Sequence, residues 1–211
     1  MQRLYQKTDK HLIPALERFS FPGRIEVIQS EQEACRAISV LRRHDIVGID
    51  TETRPTFRRG AMRPVALLQI STLDICFLFR LNMIGLPTCV ADLLEDPAIR
   101  KVGLSLINDA QAMKRRSRPL KPAAWIDIQP IVRQMGIEDQ SLQKIVANVL
   151  GKYLSKRAQL TNWEADVLTE AQKLYAATDA YACLVLYHRL TALQQSGDYV
   201  VEKPESPQSS N

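Results

Sequence analysis

Cysteine and histidine are scarce in this chain of 211 residues, and neither clusters. The four cysteines, Cys35, Cys76, Cys89 and Cys183, lack the short paired spacing that marks a zinc site or a disulfide framework. The three histidines, His11, His44 and His188, stand far apart, so no His-rich metal site is written locally. Reduced thiols in a cytoplasmic protein are the expectation from that pattern. No uninterrupted apolar stretch approaches the roughly 20 residues needed to span a bilayer. The N-terminus, MQRLYQKTDKHLIPALERF, has no apolar run of signal-peptide length. Neither a membrane-spanning nor a secreted protein is expected, and no internal repeat is found.

What the chain does have is an ordinary globular composition, 45% hydrophobic and 24% charged. Its length suits one domain. The net charge is +5, and its distribution is uneven. Thr53 to Val65 carries Arg54, Arg58, Arg59 and Arg63 without an acid. Lys101 to Pro122 carries Lys101, Lys114, Arg115, Arg116, Arg118 and Lys121 against the single acid Asp109. Outside these two segments the chain is net negative. Clustered Lys and Arg suit a polyanionic partner, because they displace counterions from a phosphate backbone. Two solvated loops would look the same.

Strand and helix patterns alternate along the body. Arg24 to Gln29 reads as a strand, and Ser30 with Glu33 forms a capping-box signature before apolar positions at helical spacing. Asp45 is expected to end that helix. Ile46 to Ile49 reads as a central strand ending at Asp50. Ala66–Ser71 and Ile75–Leu81 read as two strands around a Thr72-Leu73-Asp74 turn. Further strands are expected at Val102–Leu106 and Trp125–Ile128, with a helix from Asp109 to Arg116 between them. From Asp139 the pattern is helical, through Ser141–Leu150 and Thr169–Gln194. The sum is an α/β domain with a largely helical C-terminal third. Residues 1–23 read as an N-terminal extension and 24–195 as the domain. Residues 196–211, poor in apolar side chains, read as a disordered tail.

Three sets of carboxylates carry possible chemistry. Asp50 and Glu52 sit two apart at a strand end, so their side chains share one face, roughly 6.6 Å apart at the backbone. Such a pair repels unless a cation lies between, and Mg²⁺ or Mn²⁺ would suit oxygen ligands; a solvated strand end is the alternative. Tyr175 and Asp179 lie one turn apart on a helix, flanked by small or apolar residues. They form either a paired site or a core tyrosine beside a surface acid. Asp109, alone among basic residues, is either a metal ligand or a helix N-cap.

Taken together, the segments IVGIDTETRPTFRRG with ALLQIS, KVGLSLINDAQAMKR, and LTNWEADVLTEAQKLYAATDAYACLVLY resemble the DEDD superfamily of metal-dependent 3′–5′ exonucleases. The branch is DEDDy, with likeness to Werner-syndrome-type exonuclease domains and, more loosely, ribonuclease D. The motifs span most of Arg24 to Leu193 in the family's order. The resemblance implies a ribonuclease H-like fold, a mixed, mostly parallel sheet flanked by helices. It places the metal acids at Asp50, Glu52, Asp109 and Asp179, and the branch-defining tyrosine at Tyr175. Two divalent ions, Mg²⁺ or Mn²⁺, would be the cofactors, with Asp50 bridging them and Asp109 supporting the second. Tyr175 would orient the attacking water or help take its proton. Nucleic acid, with single-stranded 3′ ends, would be the partner, and no membrane is implied. Thr51, Thr53, Arg54, Lys114 and Arg115 are the residues expected along the strand's path.

Two other function classes compete: a nucleic-acid-binding module that kept the fold without catalysis, and a small-molecule phosphohydrolase. Intact acids at every family position speak against the first, and the long basic track against the second. Nothing in the motifs separates DNA from RNA, since that choice rests on contacts to the 2′ position.

Overall fold

The structure is a computed structural model and describes residues 1–56, 63–113 and 120–203. Arg58, Arg59, Lys114, Arg115, Arg116 and Arg118 of the basic segments lie outside the described residues, as does 204–211.

The chain opens on a short strand, β1 (Gln2–Tyr5), and a 3₁₀ turn at Ile13–Ala15. Six strands then build one sheet: β2 (Arg24–Ile28), β3 (Ile46–Thr53), β4 (Val65–Ser71), β5 (Ile75–Phe79), β6 (Arg100–Gly103) and β7 (Trp125–Asp127). Their order is β2-β5-β4-β3-β6-β7. β4 runs antiparallel to both neighbours, while β2–β5, β3–β6 and β6–β7 are parallel. This is the mixed, mostly parallel sheet that the motifs imply. The helices are α1 (Glu31–Leu41), α2 (Leu81–Ile84), α3 (Thr88–Glu95), α4 (Leu106–Met113), α5 (Ile128–Gln134), α6 (Leu142–Leu150) and α7 (Glu170–Ser196). None is long and apolar enough to cross a membrane.

Local chemistry explains most boundaries. Ser30 accepts from the Glu33 amide while the Glu33 carboxylate accepts from the Ser30 amide, so α1 begins on a complete capping box. Thr169 and Gln172 repeat that device at the start of α7. The Thr72 hydroxyl accepts from the amides of Asp74 and Ile75 and fixes the β4–β5 hairpin. α1 stops at Leu41 rather than reaching Asp45.

Strand β6 also stops short of the expected Leu106. Ser105 takes a left-handed backbone (φ 60°), and the Asp127 carboxylate accepts from the Leu106 amide at 3.1 Å. The helix therefore starts at Leu106, and Asp109 lies inside its first turn. Asp109 is not an N-cap.

The two ends of the chain depart most from the sequence reading. The run read as a tail begins with the last residue of α7 and contains a strand, β8 (Tyr199–Glu202), which pairs in parallel with β1. Leu4 is fully buried against α6 and α7 in a cluster that Tyr199 and Val201 join. The composition of 196–203 is polar on average, but all four residues of YVVE pair with a strand that lies far away in sequence, and Tyr199 and Val201 pack into the core. The first 23 residues are likewise bound into the body. Phe19 stacks on Tyr181 of α7, and the Phe21 amide donates to Thr178.

The sheet divides the core. α1, α3 and α4 cover one face, with Ile49, Leu68, Ile70, Phe77 and Phe79 beneath them. α7 covers the other, over Leu67, Cys76 and Leu78. Its central residues Ala176, Ala177, Ala180 and Ala182 are all fully buried. The approach is closest at Gly48, where a Cβ would lie 2.0 Å from the carbonyl oxygen of Ala180. No side chain fits there.

Gly48→Ala should therefore push α7 off β3 and destabilise the protein by roughly 1–3 kcal/mol, the usual cost of overpacking. Thermal and urea denaturation measure it. An unchanged melting temperature would mean that the helix yields without loss.

Candidate metal centre and active site

The close approach at Gly48 sets the site directly above it. Along β3 the side chains of Gly48, Asp50 and Glu52 alternate with those of Ile49 and Thr51. Ile49 packs on the α1/α3 side, which turns Asp50 and Glu52 toward α7. Asp179 immediately precedes Ala180, the residue whose carbonyl abuts Gly48. One carboxylate oxygen from each of Asp50, Glu52 and Asp179 can be chosen so that all lie within 4.8 Å of one another. Tyr175, one turn earlier on α7, brings its hydroxyl close enough to Asp179 to lower that carboxyl's pKa. Its ring rests near Trp163, with centroids 6.0 Å apart. Trp163 is fully buried and donates from Nε1 to the Gln159 carbonyl at 3.3 Å. Trp163 thus braces the Tyr175 ring.

Asp109 stands apart from that trio. Its Oδ1 accepts from the Thr51 hydroxyl, on the face of β3 opposite Asp50. It is still close enough to raise the pKa of both Asp50 and Glu52. The structure brings Asp50, Glu52, Asp179 and Tyr175 together and holds Asp109 beside them through Thr51. Of the residues expected along a strand's path, Thr51 is committed to Asp109, and Thr53 is exposed at the end of β3. Arg54 pairs with Glu164 at 3.4 Å and shares that carboxylate with Arg63 at 3.5 Å. Lys114 and Arg115 lie outside the described residues.

Three further residues support the site, and sequence reading passed over them. Asp127 caps twice, accepting from the Leu106 amide of α4 and the Gln129 amide of α5. It thereby fixes the helix that carries Asp109. An Asp directly before a helical run was the available signal, but that stretch reads equally well as a strand. Lys156 lines the same cleft as the acids, a space of about 270 Å³, and its charge offsets part of the shift at Asp179. Gln69 is the cross-strand partner of Asp50 on β4. It is fully buried, and neither carboxamide atom has a hydrogen-bond partner among the described residues.

The electrostatics follow from crowding acids out of water. Burial, then the charges of Asp179 and Asp109, push Asp50 well above the usual carboxylate range. Glu52 is raised in the same way, by burial first and then by Asp50 and Asp179. Burial raises Asp179 to about 7, against the opposing effects of the Tyr175 hydroxyl and of Lys156. Burial also raises Asp109 to about 6, with the hydrogen bond from Thr51 pulling down and Asp127 pushing up. Asp179 Oδ1 is buried without a hydrogen-bond partner among the described residues. An orphaned carboxylate oxygen facing two more carboxylates is a donor set that a hard divalent cation completes. The residues fit such an ion.

The chain is similar to known proteins in sequence and in fold. The model of the 3′–5′ exonuclease family matches residues 25–194. The chain is 34% identical to the mouse bifunctional 3′–5′ exonuclease/ATP-dependent helicase WRN, over 84% of this chain and 13% of that protein. It is 31% identical to the human exonuclease mut-7 homolog, over 72% of this chain and 20% of that protein. It therefore spans only a small part of the length of these relatives. The fold is similar to the EXO domain of Aedes aegypti Nibbler, with a TM-score of 0.75 at 22% identity, covering 83% of this chain and 90% of that domain.

The raised pKa values make stability depend on pH in a definite direction. Between roughly pH 4, where free carboxylates ionise, and about 7, where Asp179 does, the folded protein holds protons that the unfolded chain has released. Stability must then fall as pH rises through this window. Melting temperature in EDTA should drop from pH 5 to pH 8. Saturating Mn²⁺ should restore it most at the high end, since an ion at a hundredfold excess over Kd adds roughly 2.7 kcal/mol. Asp50→Asn or Asp179→Asn should flatten the pH dependence and remove most of the Mn²⁺ effect. A metal-free protein that gains stability toward pH 8 would contradict this electrostatic account.

Proposed function

The chain belongs to the 3′–5′ exonuclease family, in the DEDD superfamily, and from that membership we propose that it removes nucleotides from the 3′ end of single-stranded nucleic acid. The observation that carries this reading is the convergence of Asp50, Glu52 and Asp179, from β3 and α7, with Asp179 Oδ1 buried and without a hydrogen-bond partner among the described residues. A structural role for those acids would leave them hydrogen-bonded. A pure binding surface for a polyanion would not concentrate negative charge.

Roles follow from position. Asp50, Glu52 and Asp179 would hold one Mg²⁺ or Mn²⁺, and Asp50 with Asp109 a second. When bound, such ions polarise the phosphate and acidify water near the scissile bond. Tyr175 is assigned as an orienting donor. Burial and the neighbouring Asp179 and Glu52 drive its pKa far up, so its hydroxyl keeps its proton at neutral pH. It can therefore hold a phosphate oxygen or a water in line. Lys156, on the rim of the cleft, contributes a positive charge toward the substrate's phosphates. Arg54 and Arg63, gathered by Glu164, would position the strand beyond the scissile bond, since phosphate contacts set register without performing chemistry.

A degradation time course on matched 3′- and 5′-labelled DNA and RNA oligonucleotides with Mn²⁺ tests the proposal. A 5′-labelled strand should shorten stepwise, while a 3′ label should be released at once as mononucleotide. Asp50→Ala should lower turnover by roughly a thousandfold or more, given that metal chemistry supplies most of the rate. Tyr175→Phe should cost roughly a hundredfold, with the metal-dependent melting shift intact. Binding of the strand without shortening would identify a non-catalytic module instead.

A second measurement tests the strand path. Arg54→Ala with Arg63→Ala should weaken turnover of long strands several-fold and leave a short model phosphodiester nearly unaffected. Equal losses on both would place these arginines at the chemistry rather than along the strand.

A further inference from the structure

Two of the cysteines, scattered in the sequence, meet on the sheet face opposite the acids. Cys35 on α1 and Cys89 in the first turn of α3 bring their sulfurs to 2.7 Å across 54 positions of chain. Both are free thiols; Cys35 is exposed and Cys89 half-buried, whereas Cys76 and Cys183 are buried. We propose that Cys35 and Cys89 form a peroxide-responsive dithiol that closes reversibly to a disulfide and staples α1 to α3. This inference is independent of the nuclease reading.

The order of events follows from access. Cys35 is the sulfur that solvent reaches. Hydrogen peroxide transfers one oxygen to it, giving a sulfenic acid and one water. The Cys89 sulfur, already in contact, then attacks the Cys35 sulfur. The S–S bond forms as the S–OH bond breaks, and the hydroxyl leaves with the Cys89 proton as a second water. In sum, two thiols and one peroxide give one disulfide and two waters. Two electrons pass from the sulfurs to the peroxide. A dithiol reductant reverses the step by exchange. Burial and the neighbouring Cys35 hold the Cys89 thiol up at about 11, in keeping with a resolving role for Cys89 rather than a first encounter with oxidant.

The position of the bond determines what it does. The loop closed between Cys35 and Cys89 contains β3, β4 and β5, and so both Asp50 and Glu52. A disulfide stabilises chiefly by restricting the unfolded chain, more so for long loops. The staple lies on the face covered by α1 and α3, while the acids face α7. Oxidation should therefore raise resistance to unfolding without reshaping the cleft.

The test is to treat the purified full chain with equimolar hydrogen peroxide and block remaining thiols with iodoacetamide. Non-reducing peptide mapping and thermal melts with and without dithiothreitol then follow. A cross-linked Cys35–Cys89 peptide is expected, with Cys76 and Cys183 still in thiol form. The melting temperature should rise on the order of 5–15 °C, reversibly, from the size of the closed loop. Cys35→Ser and Cys89→Ser should each abolish both effects. Thiol counting on the unmutated protein keeps the test valid should either variant fold poorly. Peroxide-treated protein in which both residues remain alkylatable, or carry sulfinic acid without a cross-link, overturns the proposal. So does a melting shift that persists in Cys35→Ser.

Discussion

The contact between Gly48 on β3 and the carbonyl of Ala180 on α7 is the constraint on which the site depends. A helix normally rides on a sheet with a layer of side chains between them. Here that layer is stripped to a hydrogen on one side and a backbone oxygen on the other. The small residues Ala176, Ala177, Ala180 and Ala182 let the helix settle along its length. With the helix this near, a carboxylate on α7 reaches two carboxylates on β3. At an ordinary spacing they would each be solvated and would do nothing jointly.

Bringing acids together works against folding, and the surrounding structure absorbs that opposition. The α7 core is buried along both long clusters that it joins. Its N-terminus is held by a capping box, and its far end by the β1–β8 pair. Around the acids, each support serves one side chain. Trp163 braces Tyr175, Tyr175 engages Asp179, Thr51 engages Asp109, and Asp127 anchors the helix that bears Asp109. Lys156 is the cation whose charge acts on Asp179. The remaining negative charge forms a donor set that could hold a divalent ion.

The two faces of the sheet divide the work. The face under α7 carries the acids and the cleft. The face under α1 and α3 carries an aliphatic core and the Cys35–Cys89 contact. β3 contributes to both sides, because alternation sends Asp50 and Glu52 one way and Thr51, with its bond to Asp109, the other. A strand end where acidic and hydroxyl side chains alternate therefore meets carboxylates from two helices, Asp179 of α7 and Asp109 of α4.

Much of this was legible without coordinates. The Ser30 capping box, the strand through Ile49, the hairpin at Thr72 and the long helix after Thr169 all rest on interactions within a few residues, which local pattern records. The ordered motifs around Asp50, Asp109 and Asp179 pointed to the family and to its acids, including the tyrosine one turn before Asp179. Other features depend on residues distant in the chain, and local composition is blind to them. The segment after Ser196 is polar enough to read as a tail, yet β8 orders because Gln2–Tyr5 lies beside it. Asp109 looked like a helix start until Ser105 and Asp127 moved that start upstream. Arg54 looked like a free phosphate ligand until folding brought Glu164 to it. The cysteines carried no spacing signal because their contact spans 54 positions. Residue type and short-range periodicity determined the elements and the chemistry available to them; only the packing of α7 onto Gly48 decided which charges would share a site.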